Sequence, residues 1–223
     1  MTKKLFAEAV SKFLLGVVLV GVLVFLPAGS FDYLQGWLLV GVLFVPMLVA
    51  GIVMMAKNPY LLKSRLDAKE KQGKQQLVIK LSGLMFVAGF VLAGFNYRFG
   101  WYTLPLWISV VGAVVFLLGY VMLAFVFKQN TFLARTIKVE KNQTVVDTGL
   151  YGIVRHPMYS ATLLLFLSMP IILGSLYALV VFLAYPFIIA MRIKNEETLL
   201  ENELAGYSEY KQKVKYRLIP FIW

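Results

Sequence analysis

The 223-residue sequence has no cysteine and a single histidine. Those two absences exclude disulfides, thiolate nucleophiles, zinc–thiolate sites and any multi-histidine metal centre. Charge is scarce too: 15% of residues are charged, against roughly 25% in ordinary soluble domains. Acids are scarcer still, 11 against 22 lysines and arginines. Apolar residues take their place, at 60% of the chain with a mean hydropathy of +0.78. This is the composition of a membrane protein. The net charge of +11 does not point to nucleic acid, because the bases sit in short connections between apolar runs and form no stripe on a soluble domain.

A membrane span needs about 20 apolar residues, fewer where flanking side chains snorkel. Six stretches qualify: Phe13–Ala28, Tyr33–Ala56, Leu77–Tyr97, Trp101–Phe127, Tyr159–Leu173 and Ser175–Met191. The first lacks a small-residue cleavage signal and reads as a retained span. Pro105 is tolerable in the opening turn of the fourth. The last two are short and separated only by Gly174, next to Pro170, so they predict a tight helical hairpin that falls short of the far leaflet.

The bases give an orientation. With the N-terminus inside, the inner segments hold Lys3, Lys4 and Lys12, then Lys57, Lys63, Arg65, Lys69, Lys71, Lys74 and Lys80. They also hold Lys128, Arg135, Lys138, Lys141 and Arg155, and finally Arg192, Lys194, Lys211, Lys213, Lys215 and Arg217. That is 21 of the 22, with Arg98 alone outside, a strong positive-inside pattern. Both termini are expected in the cytoplasm.

The stretch Asn58-Pro59-Tyr60-Leu61-Leu62-Lys63-Ser64-Arg65-Leu66 reads as an interfacial turn and a short basic helix anchored on anionic headgroups. Between Lys128 and Thr148 the chain is polar, with a short strand or extended lid expected over Val139–Val146. In the tail, Leu200, Leu204, Tyr207, Tyr210 and Val214 follow helical spacing and predict one amphipathic helix from Glu196 to Tyr216, ended by Pro220. Its acids come early and its bases late, which suits the helix dipole, and Glu209 is set to pair with Lys213. The expected fold is therefore all-α: a polytopic integral membrane protein of five to six transmembrane helices, including a C-terminal helical hairpin, followed by an amphipathic interfacial helix.

The hairpin brings two polar clusters to one side of the membrane. One is Tyr151, Arg155, His156 and Tyr159. The other is Arg192, Asn195, Glu196 and Glu197. Pro157 pushes His156 towards an extended conformation immediately before a helix N-terminus, where free amides offer a seat for a carboxylate or for nucleobase acceptors. Ionisable groups at membrane depth are costly and mark functional sites. A ligand with an amino acid head, a ribose and a purine finds a counter-charge for each end here.

The pattern Gly-x-Tyr-x-x-x-Arg-His-Pro-x-Tyr at Gly149–Tyr159 is joined by Arg192, Glu196-Glu197, Tyr207, Tyr210, Val214, Arg217 and Pro220. Together these resemble the isoprenylcysteine carboxyl methyltransferase family and its relatives among phospholipid methyltransferases. Asn58-Pro59, Leu61-Leu62 and Arg65 are similar to prokaryotic members, which implies a prokaryotic cell membrane. The resemblance implies four N-terminal helices over residues 1–127, with a basic loop at 57–76, and a cofactor-binding region over 128–223. It also implies S-adenosyl-L-methionine as cofactor, a lipophilic acceptor entering from the bilayer, and no metal. By motif matching, Tyr151, Arg155, His156, Tyr159, Glu196, Glu197 and Tyr207 would line the cofactor pocket. Arg192 and Arg217 would face the reacting groups, with Glu196 or Glu197 as candidate base if the acceptor is an amine. The acceptor stays open between a prenylcysteine-like carboxylate and a lipid amine. Two rival readings are an NADPH-dependent membrane reductase similar to the sterol reductases, with Arg155 on the 2′-phosphate, and a non-catalytic membrane binding protein.

Overall fold

A computed structural model describes residues 3–67, 73–130, 132–133, 139 and 142–223. Lys69, Lys71, Arg135, Lys138, Lys141 and most of the first half of the expected strand or lid lie outside the described residues. Nine α-helices are described: α1 (Lys3–Ala28), α2 (Leu34–Lys57), α3 (Pro59–Leu66), α4 (Gly73–Arg98), α5 (Leu106–Gln129), α6 (Pro157–Ile172), α7 (Leu176–Phe182), α8 (Tyr185–Glu203) and α9 (Tyr207–Lys213). A single 3₁₀ turn, Gly149–Gly152, precedes α6.

Among the described residues, five segments are long and apolar enough to cross a membrane: α1, α2, Gln75–Arg98 of α4, α5, and α7 with α8 taken together as Leu176–Glu203. The helix α6 has 16 residues, a rise of about 24 Å, short of a hydrocarbon core of about 30 Å. The expected tight hairpin is present. Gly174 adopts φ +69°, which a side chain resists, and Ser175 caps α7 by accepting from the Ala178 amide at 3.2 Å. Across the same end, the Leu104 amide donates to the Gly174 carbonyl at 2.8 Å and the Tyr33 hydroxyl to the Leu173 carbonyl at 2.5 Å. Pro105 lies just outside α5 as its N-cap, so the fourth helix starts later than expected.

The core is built mainly from α4, α5, α6, α7 and α8, with Phe116, Ile172 and Phe182 fully buried, and is joined by Val24, Phe25 and Ala28 at the end of α1 and by Leu39 of α2. The most extensive pairing is α5 on α6. It depends on a close approach at Gly119, where a Cβ would sit 2.9 Å from Leu165 Cγ, the small-residue packing usual between membrane helices. By contrast α1 and α2 are peripheral, with 11% of each apolar window buried. The short helix α3 is docked: Pro59 opens it, Asn58 Oδ1 accepts from the Leu61 amide at 3.1 Å, and Leu61 and Leu62 are buried. It therefore does more than anchor charge. Lys12 Nζ of α1 donates to the Leu66 carbonyl at 2.7 Å, fixing α3 at the basic end of the bundle.

The tail differs from expectation. The last membrane helix does not stop near Met191 but runs on to Glu203, and the chain then breaks at Leu204–Gly206, where Gly206 takes φ +82°. A left-handed residue cannot continue an α-helix, so no single helix spans Glu196–Tyr216. The apolar spacing nonetheless identified the right partners, since Leu204, Tyr207, Tyr210 and Val214 form a buried cluster with Leu200, Val139 and Val145. The expected Glu209–Lys213 pair is replaced by contacts to other segments: Lys213 reaches Asp147 at 2.7 Å, and Lys211 pairs with Glu201.

Candidate active site

Gly149 starts the motif with φ +59°, pressed so closely on Gln129 that a Cβ would lie 2.4 Å from its amide nitrogen. Gln129 Oε1 accepts from the Leu150 amide at 3.0 Å, which docks the turn on the end of α5. Asn130 Nδ2 donates to the Tyr151 hydroxyl at 3.2 Å, and the Tyr210 hydroxyl donates to the Tyr151 carbonyl at 2.7 Å. His156 then stands at the N-cap of α6 with φ −125° and ψ 60°, non-helical but short of the extended conformation expected, and Pro157 takes the first helical position, as the sequence required.

The tail lies alongside this corner and satisfies its donors. The Arg155 and His156 amides donate to the Tyr216 and Arg217 carbonyls, both at 2.9 Å. Ser160 Oγ donates to the Leu218 carbonyl at 2.6 Å. Arg155 Nη1 reaches the Val214 and Lys215 carbonyls at 2.7 and 2.8 Å. Nothing in the residue pattern marks Ser160 as a tie beyond its place beside the motif tyrosine.

Glu197 is the electrostatic centre of this joint. Its carboxylate is buried and accepts from Arg155 Nε at 2.7 Å and from Arg217 Nε at 2.8 Å, with His156 Nε2 at 3.2 Å. A buried charge persists only when paired and hydrogen-bonded in this way. Arg217 also lies over the Trp223 ring, 5.2 Å from its centroid.

One residue earlier, Glu196 faces elsewhere. Its Oε2 accepts from the Tyr159 hydroxyl at 2.5 Å, and that hydroxyl accepts in turn from Arg192 Nε at 2.8 Å. The Arg192 guanidinium lies 5.8 Å from the Tyr159 ring centroid, and the His156 and Tyr159 rings stack at 5.7 Å. Gln75 of α4, fully buried, extends its amide nitrogen to 3.5 Å from the Arg192 carbonyl.

Between the two clusters a cleft opens at the basic end. Tyr151, Arg155, His156, Tyr159, Arg192, Glu196 and Tyr207 all line it, together with Asn130, Met158 and residues 143–146. Glu197 and Arg217 do not. They stand behind it, joining the tail to the motif. The Tyr207 hydroxyl is buried and has no hydrogen-bond partner among the described residues. Burial, and then the negative charges of Glu197 and Glu196, push its ionisation well above the usual phenol range, so at neutral pH it remains a hydrogen-bond donor. An orphaned buried donor in a cleft wall is the mark of a place where a ligand supplies the acceptor.

Comparison with known proteins agrees with this arrangement. Residues 107–205, from α5 to the end of α8, match the phospholipid methyltransferase family. The fold is similar to the solved structure of the eukaryotic intramembrane Ras methyltransferase, isoprenylcysteine carboxyl methyltransferase, determined without a monobody. The TM-score is 0.50 at 18% identity, over 97% of this chain and 84% of that one. No curated protein sequence matches the chain. These findings support the resemblance read from the motif. The chain is an integral membrane protein with the polytopic helical fold of that enzyme. Methyltransferase families of this kind generally use S-adenosyl-L-methionine.

Proposed function

We propose that the cleft at the basic end binds S-adenosyl-L-methionine and that the enzyme transfers its methyl group to a lipophilic acceptor arriving from the bilayer. The observation that carries this reading is the unpaired Tyr207 hydroxyl in a cleft wall that also presents the Glu196 carboxylate and the Tyr159 ring. That donor set fits the cofactor, which has hydrogen-bond acceptors on its sugar and base, a cationic ammonium and a sulfonium. When bound, the cofactor supplies an electrophilic methyl group on sulfur.

The protein's part is to hold, orient and exclude water. Glu196 is the counter-charge for the cationic end, and the Tyr159 ring is a cation–π surface worth about 0.5–2 kcal/mol. His156, pinned by the tail, and Tyr151 complete the wall, with Arg155 holding the tail in place. Glu197 serves the pocket through Arg155 and His156. Arg192 orients the acceptor: a carboxylate bound to a guanidinium keeps an oxygen free to attack and needs no base. Arg217 flanks it from behind the joint. Were the acceptor an amine, Glu196 would take the proton. The acceptors in view are a prenylcysteine-like carboxylate, by analogy with the Ras methyltransferase, and a lipid amine. The cleft and both termini face the cytoplasm of a prokaryotic cell. Residues 1–127 anchor the enzyme and 128–223 carry the pocket.

Isothermal calorimetry on purified protein with S-adenosylhomocysteine and, separately, NADPH tests the cofactor. We expect the first to bind and the second not to, and binding of NADPH alone would overturn the reading. Incubating membranes with a labelled methyl donor, followed by lipid extraction, tests the acceptor. A label released by mild alkali marks a methyl ester and hence a carboxylate. A label that alkali leaves in place marks an amine.

A further inference from the structure

At the end of the bundle opposite the cleft, a second cavity of about 590 Å³ is open between the peripheral helices α1 and α2. One wall is α1 from Val17 to its end at Ala28, which at 1.5 Å per residue is about 17 Å long, close to the depth of one leaflet at about 15 Å. Gly21 leaves the floor open, since nothing lies within 4 Å of where its Cβ would be. The other wall is Phe31, Trp37 and Val40, whose two aromatic rings pack on Phe25 of α1, Trp37 at 4.7 Å and Phe31 at 5.5 Å, centroid to centroid. Aromatic rings of this kind gather at the membrane–water interface. At the mouth stands Arg98, whose guanidinium Nε would be 3.5 Å from a Cβ on Gly29. Arg98 is exposed and has no acidic partner among the described residues.

An apolar trough of one-leaflet depth that ends at one isolated guanidinium matches a molecule with a long apolar chain and an anionic head. The geometry points to a binding site for an anionic phospholipid, one acyl chain in the α1–α2 trough and the phosphate on Arg98. The methyl acceptor does not fit there, because the cleft lies at the other end of the bundle. The lipid instead fills the seam between the two helices whose apolar windows are the least buried, 11% in each, and holds them together. Guanidinium and phosphate form a charge-assisted, bidentate pair, and the acyl chain extends the apolar contact that α1 and α2 already make through Phe13–Phe44 and Phe25–Trp37.

The test is native mass spectrometry of the purified protein in neutral detergent, incubated with phosphatidylglycerol, with phosphatidylcholine, or with glycerol phosphate. Wild-type protein should retain phosphatidylglycerol in preference to the other two. Arg98→Gln and Gly21→Leu should each weaken retention about tenfold, the effect of losing one charge-assisted hydrogen bond or of filling the trough. Circular dichroism and gel filtration verify the fold of both variants, and Val18→Phe replaces Gly21→Leu if that variant misfolds. Equal retention of phosphatidylcholine, binding of glycerol phosphate alone, or unchanged retention in either variant would overturn the site. So would a dimer that Gly21→Leu dissociates, which assigns the trough to a second copy of the chain.

Discussion

Arg155 and Glu197, 42 residues apart in sequence, meet in a 2.7 Å ion pair with both side chains 4% exposed. This pair welds the polar corner before α6 to the end of α8, and the Arg217 guanidinium and the His156 ring close around the same carboxylate.

Removing that carboxylate should unfold the joint. Glu197→Ala leaves Arg155 buried without its anion, a change that costs about 3–5 kcal/mol in comparable buried pairs. Thermal unfolding in detergent should show a large drop in midpoint without any ligand present. An unchanged midpoint would mean that the pair contributes little.

Glu196, its immediate neighbour, should behave in the opposite way. Glu196→Gln keeps the shape and can still accept from Tyr159, so stability should hold, while affinity for S-adenosylhomocysteine falls by about tenfold or more with the lost charge. His156→Ala should also weaken binding while the protein stays folded. Calorimetry beside thermal unfolding separates the two effects, and unchanged affinity in both variants would place the pocket elsewhere.

Tyr207→Phe removes a hydroxyl that has no partner among the described residues. The ligand-free protein should be equally stable or slightly more so, because an unsatisfied buried polar group costs about 1–3 kcal/mol. Cofactor affinity should fall several-fold. A loss of stability in the absence of ligand would show that the hydroxyl serves the fold.

Alkali should act on the same region. Burial raises the ionisation of Tyr151, Tyr207 and Tyr210 above the ordinary phenol value, which is near 10. Because the folded state keeps its phenolic protons where the unfolded chain loses them, the stability gained is fully present below about pH 10 and declines as pH rises beyond it. Unfolding midpoints measured from pH 8 to 12 should fall above pH 10, and less steeply in Tyr207→Phe. A flat profile would contradict the burial of these hydroxyls.

Much of this arrangement was legible in the residues. Long apolar runs revealed the spans, Gly174 and Pro170 revealed the hairpin, and the hairpin made neighbours of the motif and the two glutamates. What the sequence hid is just as specific. Successive residues on a helix point about 100° apart, so Glu196 and Glu197 face different partners, and no spacing rule says which faces the cleft. The break at Gly206 was signalled by the glycine but outweighed by the apolar periodicity around it. The ties from Val214, Lys215, Tyr216, Arg217 and Leu218 use backbone carbonyls, which every residue has, so composition cannot announce them.

Those carbonyls also set the order in which the molecule can be completed. A chain made from its N-terminus delivers α1 to α8 to the membrane before the residues that satisfy Arg155, His156 and Ser160 exist. Until Val214–Leu218 emerge, Arg155 Nη1, two backbone amides and the Ser160 hydroxyl lack these partners. Completion of the cleft thus waits on Val214–Leu218, so a chain interrupted before Val214 would be inserted but would have no finished pocket.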